Sequence, residues 1–257
     1  MVGGMGDDAK VSASSSPSRW SDLGVRASSG VVMIIVAVTL IWLGGWPFRM
    51  MCILLGLAIM WEWWGIVRHG KKLVAWMIPG LIYAALPTWA LIYLRTGDHS
   101  FTAIPASDAR LTLVLSVIAV VIATDVGAYF AGRMFGGPKL APRISPKKTW
   151  AGFFGGILAA IVIIAFLQFA LPKLSSRFVH TESGFEGVFY ALNAGLFSAP
   201  LSVISQAGDL FESWLKRKFN VKDSSRLIPG HGGVMDRLDG LIFAASCVAL
   251  YVHFISS

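Results

Sequence analysis

An all-α, polytopic integral membrane protein is the fold class this sequence predicts, and three observations predict it. Hydrophobic residues fill 55% of the 257 positions and charged residues only 14%, about half the ~25% charge of a soluble domain. The apolar residues gather in seven long runs, most of them approaching the ~20 residues that cross a bilayer core. Seventeen of the 22 Lys and Arg residues fall on one side if those runs alternate across a membrane.

Residues 1–30 are polar and rich in Gly and Ser, which predicts a disordered tail. They lack the short apolar core and cleavage site of a signal peptide. An N-terminal group of transmembrane helices is expected over 31–110, from runs at 31–44, 50–67 and 73–94. Pro79 and Pro87 can split the third run, which widens the expected count from seven helices to as many as nine. A second region, 111–257, carries runs at 111–135, 153–171, 188–207 and 241–255, with two residue-rich loops at 133–149 and 208–239. Cys52 and Cys247 sit inside apolar runs without zinc-type spacing and are expected to be packing residues.

With the amino terminus inside, both loops face the cytoplasm, because positive residues mark cytoplasmic segments. The basic residues outside that side are Arg49, Arg95, Arg110, Lys173 and Arg177. The net charge of +8 follows largely from this topology, and it also attracts anionic membrane lipids. Nucleic acid is not an expected partner, since no aromatic-and-basic module stands apart from the membrane segments.

Acidic residues are the informative minority. Five of the fourteen fall within 209–239: Asp209, Glu212, Asp223, Asp236 and Asp239. Asp125 lies inside the fourth apolar run, roughly 12 Å along a helix from Arg133. An ionisable group at that depth reads as functional or paired. Glu62 is similarly embedded, but Trp61, Trp63 and Trp64 around it suggest a helix packed near the interface. Asp209, Glu212, Ser213 and Lys216 share one helical face by spacing. The turn Pro229-Gly230-His231-Gly232-Gly233 lets backbone N–H groups approach an anion. Oxygen ligands from Asp209 and Asp236 suit Mg²⁺, which takes one or two carboxylates plus substrate phosphates. Lys216, Arg217, Lys222, Arg226 and Arg237 offer positive charge for a polyphosphate. These are the parts that phosphoryl-type transfer needs, since it relies on positioning and charge neutralisation.

The stretch Ser213-x-Leu215-Lys216-Arg217, then Lys222-Asp223-x-Ser225, then Ile228-Pro229-x-His231-Gly232-Gly233-Val234-x-Asp236-Arg237-Leu238-Asp239 resembles the signature of the phosphatidate cytidylyltransferase family. The likeness extends to Ser205-Gln206-x-Gly208-Asp209-Leu210, to Asp125-x-Gly127-Ala128-Tyr129, and to Lys139-Leu140-Ala141-Pro142 followed by Ser145-Pro146-x-Lys148-Thr149. Ala151 departs from it, where family members often carry Glu. The resemblance implies an all-helical membrane enzyme, often a homodimer, that makes CDP-diacylglycerol and pyrophosphate from CTP and phosphatidate. It implies a multi-pass protein of the inner (plasma) membrane, with Mg²⁺ and a candidate K⁺ at the paired aspartates, Asp209 and Asp236.

Roles follow from that resemblance together with the charges. Asp209 and Asp236 are expected to hold the metal, with Asp239 beside them. Lys216, Arg217, Lys222 and Arg237 are expected to neutralise phosphates, and His231, Gly232 and Gly233 to shape the nucleotide pocket. Ser145, Lys147, Lys148 and Thr149 are assigned to the phosphatidate head group or the CTP phosphates, with Asp125 closing the site from within the membrane. Three rivals are a CTP-using lipid kinase, a CDP-alcohol phosphotransferase and a transporter. The second lacks its usual Asp-Gly-x-x-Ala-Arg run here, and the third leaves the glycine turn and its aspartates without a purpose.

Overall fold

Among the described residues seven helices form, one for each apolar run. The computed structural model describes residues 19–68, 70, 72–96, 106–170, 185–225, 227–228 and 232–256. The helices are α1 (Arg19–Leu43), α2 (Gly45–Val67), α3 (Leu73–Thr96), α4 (Ala106–Phe135), α5 (Trp150–Ala170), α6 (Phe185–Lys218) and α7 (Met235–Ser256). Five stretches are long and apolar enough to cross a membrane: Gly45–Val67, Leu73–Thr96, Arg110–Phe135, Trp150–Gln168 and Met235–Phe254. Among the described residues these five meet the length and composition of a span, fewer than the seven to nine expected. In α1 the apolar stretch Ser28–Leu43 is shorter, and α6 carries a charged final third.

Four expectations need correction. The α3 helix runs unbroken with Pro79 and Pro87 inside it, so the third run is not split. Proline is tolerated in membrane helices because neighbouring helices, side chains and local adjustments satisfy the freed backbone. The polar tail does not reach residue 30, because α1 begins at Arg19. The stretch 19–43 contains no proline, and a helix nucleated in an apolar run extends at one hydrogen bond per residue. Residues 1–18 lie outside the described residues.

The all-α expectation holds apart from one short hairpin, and the segment 133–149 that carries it is not an irregular loop. Antiparallel strands β1 (Lys139–Ala141) and β2 (Ser145–Thr149) form a hairpin that pairs Lys139 with Thr149 and Ala141 with Ser145. Pro138, Pro142 and Pro146 bar a helix here. Pro142 takes the second position of a turn closed by Ile144 N–H to the Ala141 carbonyl at 3.1 Å. The segment 208–239 is half helical, and the connection itself is only 219–234. Helix α6 continues to Lys218 because Lys216, Arg217 and Lys218 occupy its last turn, where cations favour the helix dipole. Asn220 then turns left-handed at φ 55. Val221 N–H reaches the Lys216 carbonyl at 2.9 Å and Asn220 N–H the Arg217 carbonyl at 3.2 Å, the two bonds of a Schellman stop.

Small residues set the packing. Gly127 and Ala131 on α4 meet Gly155 and Ala159 on α5, two small-xxx-small stripes that let membrane helices approach closely. On α6, a Cβ at Gly208 would stand 2.6 Å from the Asp239 carbonyl of α7, so that crossing brings Asp209 beside the start of α7. One core joins Phe48, Cys52, Leu94, Val114, Ala245 and Ala249. A second joins Trp63, Val67, Tyr83, Leu215, Val234 and Met235, directly under the 219–234 connection. The outside is apolar too: Phe154, Leu158, Val162 and Phe166 form an exposed stripe along α5. Such a stripe suits lipid, as expected of a membrane protein. Cys52 is buried and Cys247 exposed.

Candidate active site

The chemistry-bearing residues converge where α6 and α7 emerge together from the bundle. Lys148, near the end of β2, forms an ion pair with Asp209 on α6. Two turns further along α6, Lys216 bridges Glu212 Oε1 at 3.1 Å and Asp236 Oδ1 at 2.7 Å. Asp236, in the first turn of α7, receives more donors on Oδ2: Ser224 N–H at 3.1 Å, Ser224 Oγ at 3.0 Å and Gly233 N–H at 3.0 Å. Asp125 on α4 lies within electrostatic reach of Asp239, Asp209 and Lys148. Five acidic side chains and two ammonium groups thus share one end of the bundle.

Burial shapes their ionisation. Glu212 is 1% exposed. Desolvation, then its hydrogen bond with Asp236 and the Asp239 charge, pushes it up to about 10 despite Lys216. The shift favours its protonated form, and the closer contact of the Lys216 ammonium is with Asp236, at 2.7 Å against 3.1 Å. Burial works against that ammonium, yet Glu212 and Asp236 together raise its pKa above the ordinary value.

The other expected site residues fall into three groups. Arg217, Lys222, Lys147 and Arg237 are exposed around the rim, and Ser145 is half-buried on β2 opposite Ala141. Thr149 is buried and accepts the Gly152 N–H at 3.1 Å, which makes it the N-cap of α5. The glycines shape the connection ahead of α7. Gly232 adopts φ 85, and Ile228 N–H reaches its carbonyl at 2.9 Å. Gly233 has no room for a side chain, since a Cβ would collide with Ser224 Oγ and stand 2.7 Å from Glu62 Oε1. Gly233 N–H donates to the chain's own Asp236, and its α-carbon packs against the Glu62 carboxylate. His231 and Arg226 lie outside the described residues.

Sequence reasoning missed three residues. Glu62 was set aside for its aromatic neighbours, although its depth in an apolar run was the signal. Ser224 occupies an unspecified position of the signature, yet it contacts both Glu62 and Asp236. Tyr83 on α3 is 7% exposed, and its hydroxyl makes no hydrogen bond among the described residues. It lies within electrostatic reach of Glu212, Asp239, Asp209 and Asp236. Tyr83 also lines an apolar cavity of about 350 Å³ with Pro79, Ile82, Phe211, Phe243 and Leu250.

Among the described residues, no three His, Cys, Asp or Glu side chains gather into a metal cage. The donors present are carboxylate oxygens, with the Asp209 and Asp236 side chains 32% and 14% exposed. That set fits a hard cation that completes its shell with water and phosphate.

A family model described as the cytidylyltransferase family matches residues 83–255. The chain belongs to that family. It is a nucleotidyltransferase. A phosphatidate cytidylyltransferase of Brucella suis is 35% identical over 276 aligned positions, covering 90% of this chain and 93% of its own. One from Rickettsia bellii is 34% identical over 228 positions, 88% of each chain. One from Rickettsia typhi is 35% identical over 223, covering 86% of this chain and 88% of its own. The matched span contains every carboxylate and lysine of the cluster except Glu62.

Proposed function

We propose that this chain transfers the cytidylyl group of CTP to phosphatidate, giving CDP-diacylglycerol and pyrophosphate. The observation that carries this reading is the convergence of Asp209, Asp236, Lys148 and Lys216 at one bundle end, in a chain similar along 90% of its length to proteins named for that reaction. The apolar cavity lined by Tyr83 and Phe211 supports a substrate with acyl chains, since Phe211 stands on α6 between Asp209 and Lys216.

Phosphatidate brings an anionic phosphate oxygen, so the attack needs no strong base. That oxygen forms a bond to the α-phosphorus of CTP as the bond from that phosphorus to the β-bridging oxygen breaks, and pyrophosphate leaves with the electron pair. The obstacle is bringing two anions together in a medium of low dielectric. Lys148 and Lys216 are held by Asp209 and Asp236 in readiness for phosphate oxygens, and Arg217, Lys222, Lys147 and Arg237 add charge at the rim. Asp209 and Asp236 would hold Mg²⁺, with K⁺ a further candidate, and the bound cation would neutralise the transferring phosphate. Asp239 and Asp125 complete the acidic cluster, with Ser145 and His231 near the substrates.

In this reading the protein is a multi-pass protein of the inner membrane, with seven crossings, a catalytic region over 111–257 and the site on the cytoplasmic side. The supports are the basic residues concentrated there and the bacterial relatives. A homodimer would cover part of the apolar exterior. Labelled CTP tests the reaction: purified protein with phosphatidate and Mg²⁺ should release pyrophosphate and place CMP in the lipid. Release of CDP with phosphorylated lipid would instead identify a kinase.

A further inference from the structure

Glu62 stands on α2, ahead of the matched residues 83–255, and is 1% exposed. A carboxylate is costly to bury unless donors surround it, and here four do. Oε1 accepts from Ser225 Oγ at 2.6 Å and Val234 N–H at 2.8 Å. Oε2 accepts from Ser224 Oγ at 3.0 Å and Met235 N–H at 2.7 Å. Each oxygen thus takes one hydroxyl from the middle of the 219–234 connection and one amide from its end. The amides of Val234 and Met235 open α7, where helix N–H groups lack intrahelical partners and an anion is favoured. Glu62 is the cap of α7, delivered from another helix.

The same connection holds Asp236. Ser224 Oγ lies 3.0 Å from both Glu62 Oε2 and Asp236 Oδ2, so its single proton is shared between the two carboxylates. Ser224 N–H and Gly233 N–H turn to Asp236, while Gly233 is packed against the Glu62 carboxylate. Two residues therefore touch both carboxylates, and moving one carboxylate would displace the donors of the other.

We propose that Glu62 is a positioning residue for cytidylyl transfer: it clamps Ser224, Ser225, Val234 and Met235 so that Asp236 and its partner Lys216 stand in register. The inference rests on the functional reading above. Glu62→Gln keeps the shape and removes one acceptor and the charge. Relative to wild type, kcat/KM for CTP should fall at least about tenfold, which at 1.4 kcal/mol per decade is a modest loss of alignment. KM for phosphatidate should stay within about twofold. Amide exchange of the peptide covering 224–238 should accelerate, and exchange in α5 should not. Because Ser224 acts through the same clamp, the E62Q/S224A double variant should lose less than the product of the single losses.

Wild-type kcat/KM in E62Q overturns the proposal, as do multiplicative losses in the double variant or unchanged exchange at 224–238. If E62Q fails to fold, Glu62→Asp retains the charge with a shorter reach and is judged by the same measurements. A wild-type chain that turns over no CTP with phosphatidate, while E62Q still loosens 224–238, overturns the functional reading and leaves the clamp standing.

Discussion

Replacing Lys216 with methionine removes the ammonium that joins the two acidic helices while keeping most of the side-chain volume. Its Nζ is 2.7 Å from Asp236 Oδ1 and 3.1 Å from Glu212 Oε1, and the lysine and Asp236 side chains are only 16% and 14% exposed. Breaking a buried pair from one side costs ~3–5 kcal/mol because a charge is left unpaired. Asp236 retains Ser224 N–H, Ser224 Oγ and Gly233 N–H, and burial favours the protonated form of Glu212, so a cost below that range, ~2–3 kcal/mol, is expected. At ~2–4 °C per kcal/mol for a chain of this size, the thermal midpoint in detergent should fall by roughly 5–10 °C. Turnover should fall further, by ~10²-fold or more, since a cation aimed at developing phosphate charge acts mainly in the transition state. Midpoints from a thiol-independent unfolding assay and kcat from CMP incorporation into lipid check both numbers. A K216M protein with unchanged midpoint and turnover within twofold of wild type would refute the assignment of Lys216 to the centre of the site.

Asp209→Asn and Asp236→Asn should each abolish CMP transfer while the protein still inserts and elutes as wild type, and near-normal turnover in either removes that residue from the metal assignment. Lys218→Ala should be mild by comparison, below about threefold in kcat, because that ammonium stacks over Trp76 and Trp214 at 4.7 and 4.9 Å instead of joining the cluster. Gly233→Ala places a methyl where Ser224 Oγ and the Glu62 carboxylate already sit, so it should cost at least as much activity as Glu62→Gln; full activity would show that the contact is absent in solution. Glu212 makes stability fall with pH: its carboxyl is raised from the ordinary 4.5 to about 10, so its contribution is complete below about 4.5 and lost as pH rises through 10. With EDTA present, the midpoint of wild type should drop more steeply between pH 5 and 9 than that of Glu212→Gln, and parallel profiles would contradict a protonated Glu212.

The helices were legible because lipid demands long uninterrupted apolar runs, and each of the seven runs became one helix. Asp209, Asp236, Lys148 and Lys216 were legible because charge is scarce in this chain, so its clustering carried information. The signature residues brought the family resemblance with them. Local sequence also held the 139–149 hairpin, in three prolines that bar a helix, although the resemblance to an all-helical fold masked it.

Other features depended on groups distant in the chain. Which lysine pairs with which aspartate follows from how closely α6 and α7 cross at Gly208, a contact made by absent side chains. The N-cap role of Thr149 and the service of Gly233 to internal carboxylates were hidden because a phosphate and a carboxylate ask the same of a backbone amide. Glu62 is the clearest case. Its sequence neighbours are tryptophans, and its four donors lie more than 160 residues away. Sequence alone determined that this is a helical membrane protein with a concentrated charged site, because those properties sum over local composition. Only the tertiary structure decided what each charge is paired with, because pairing depends on distances that close when helices pack.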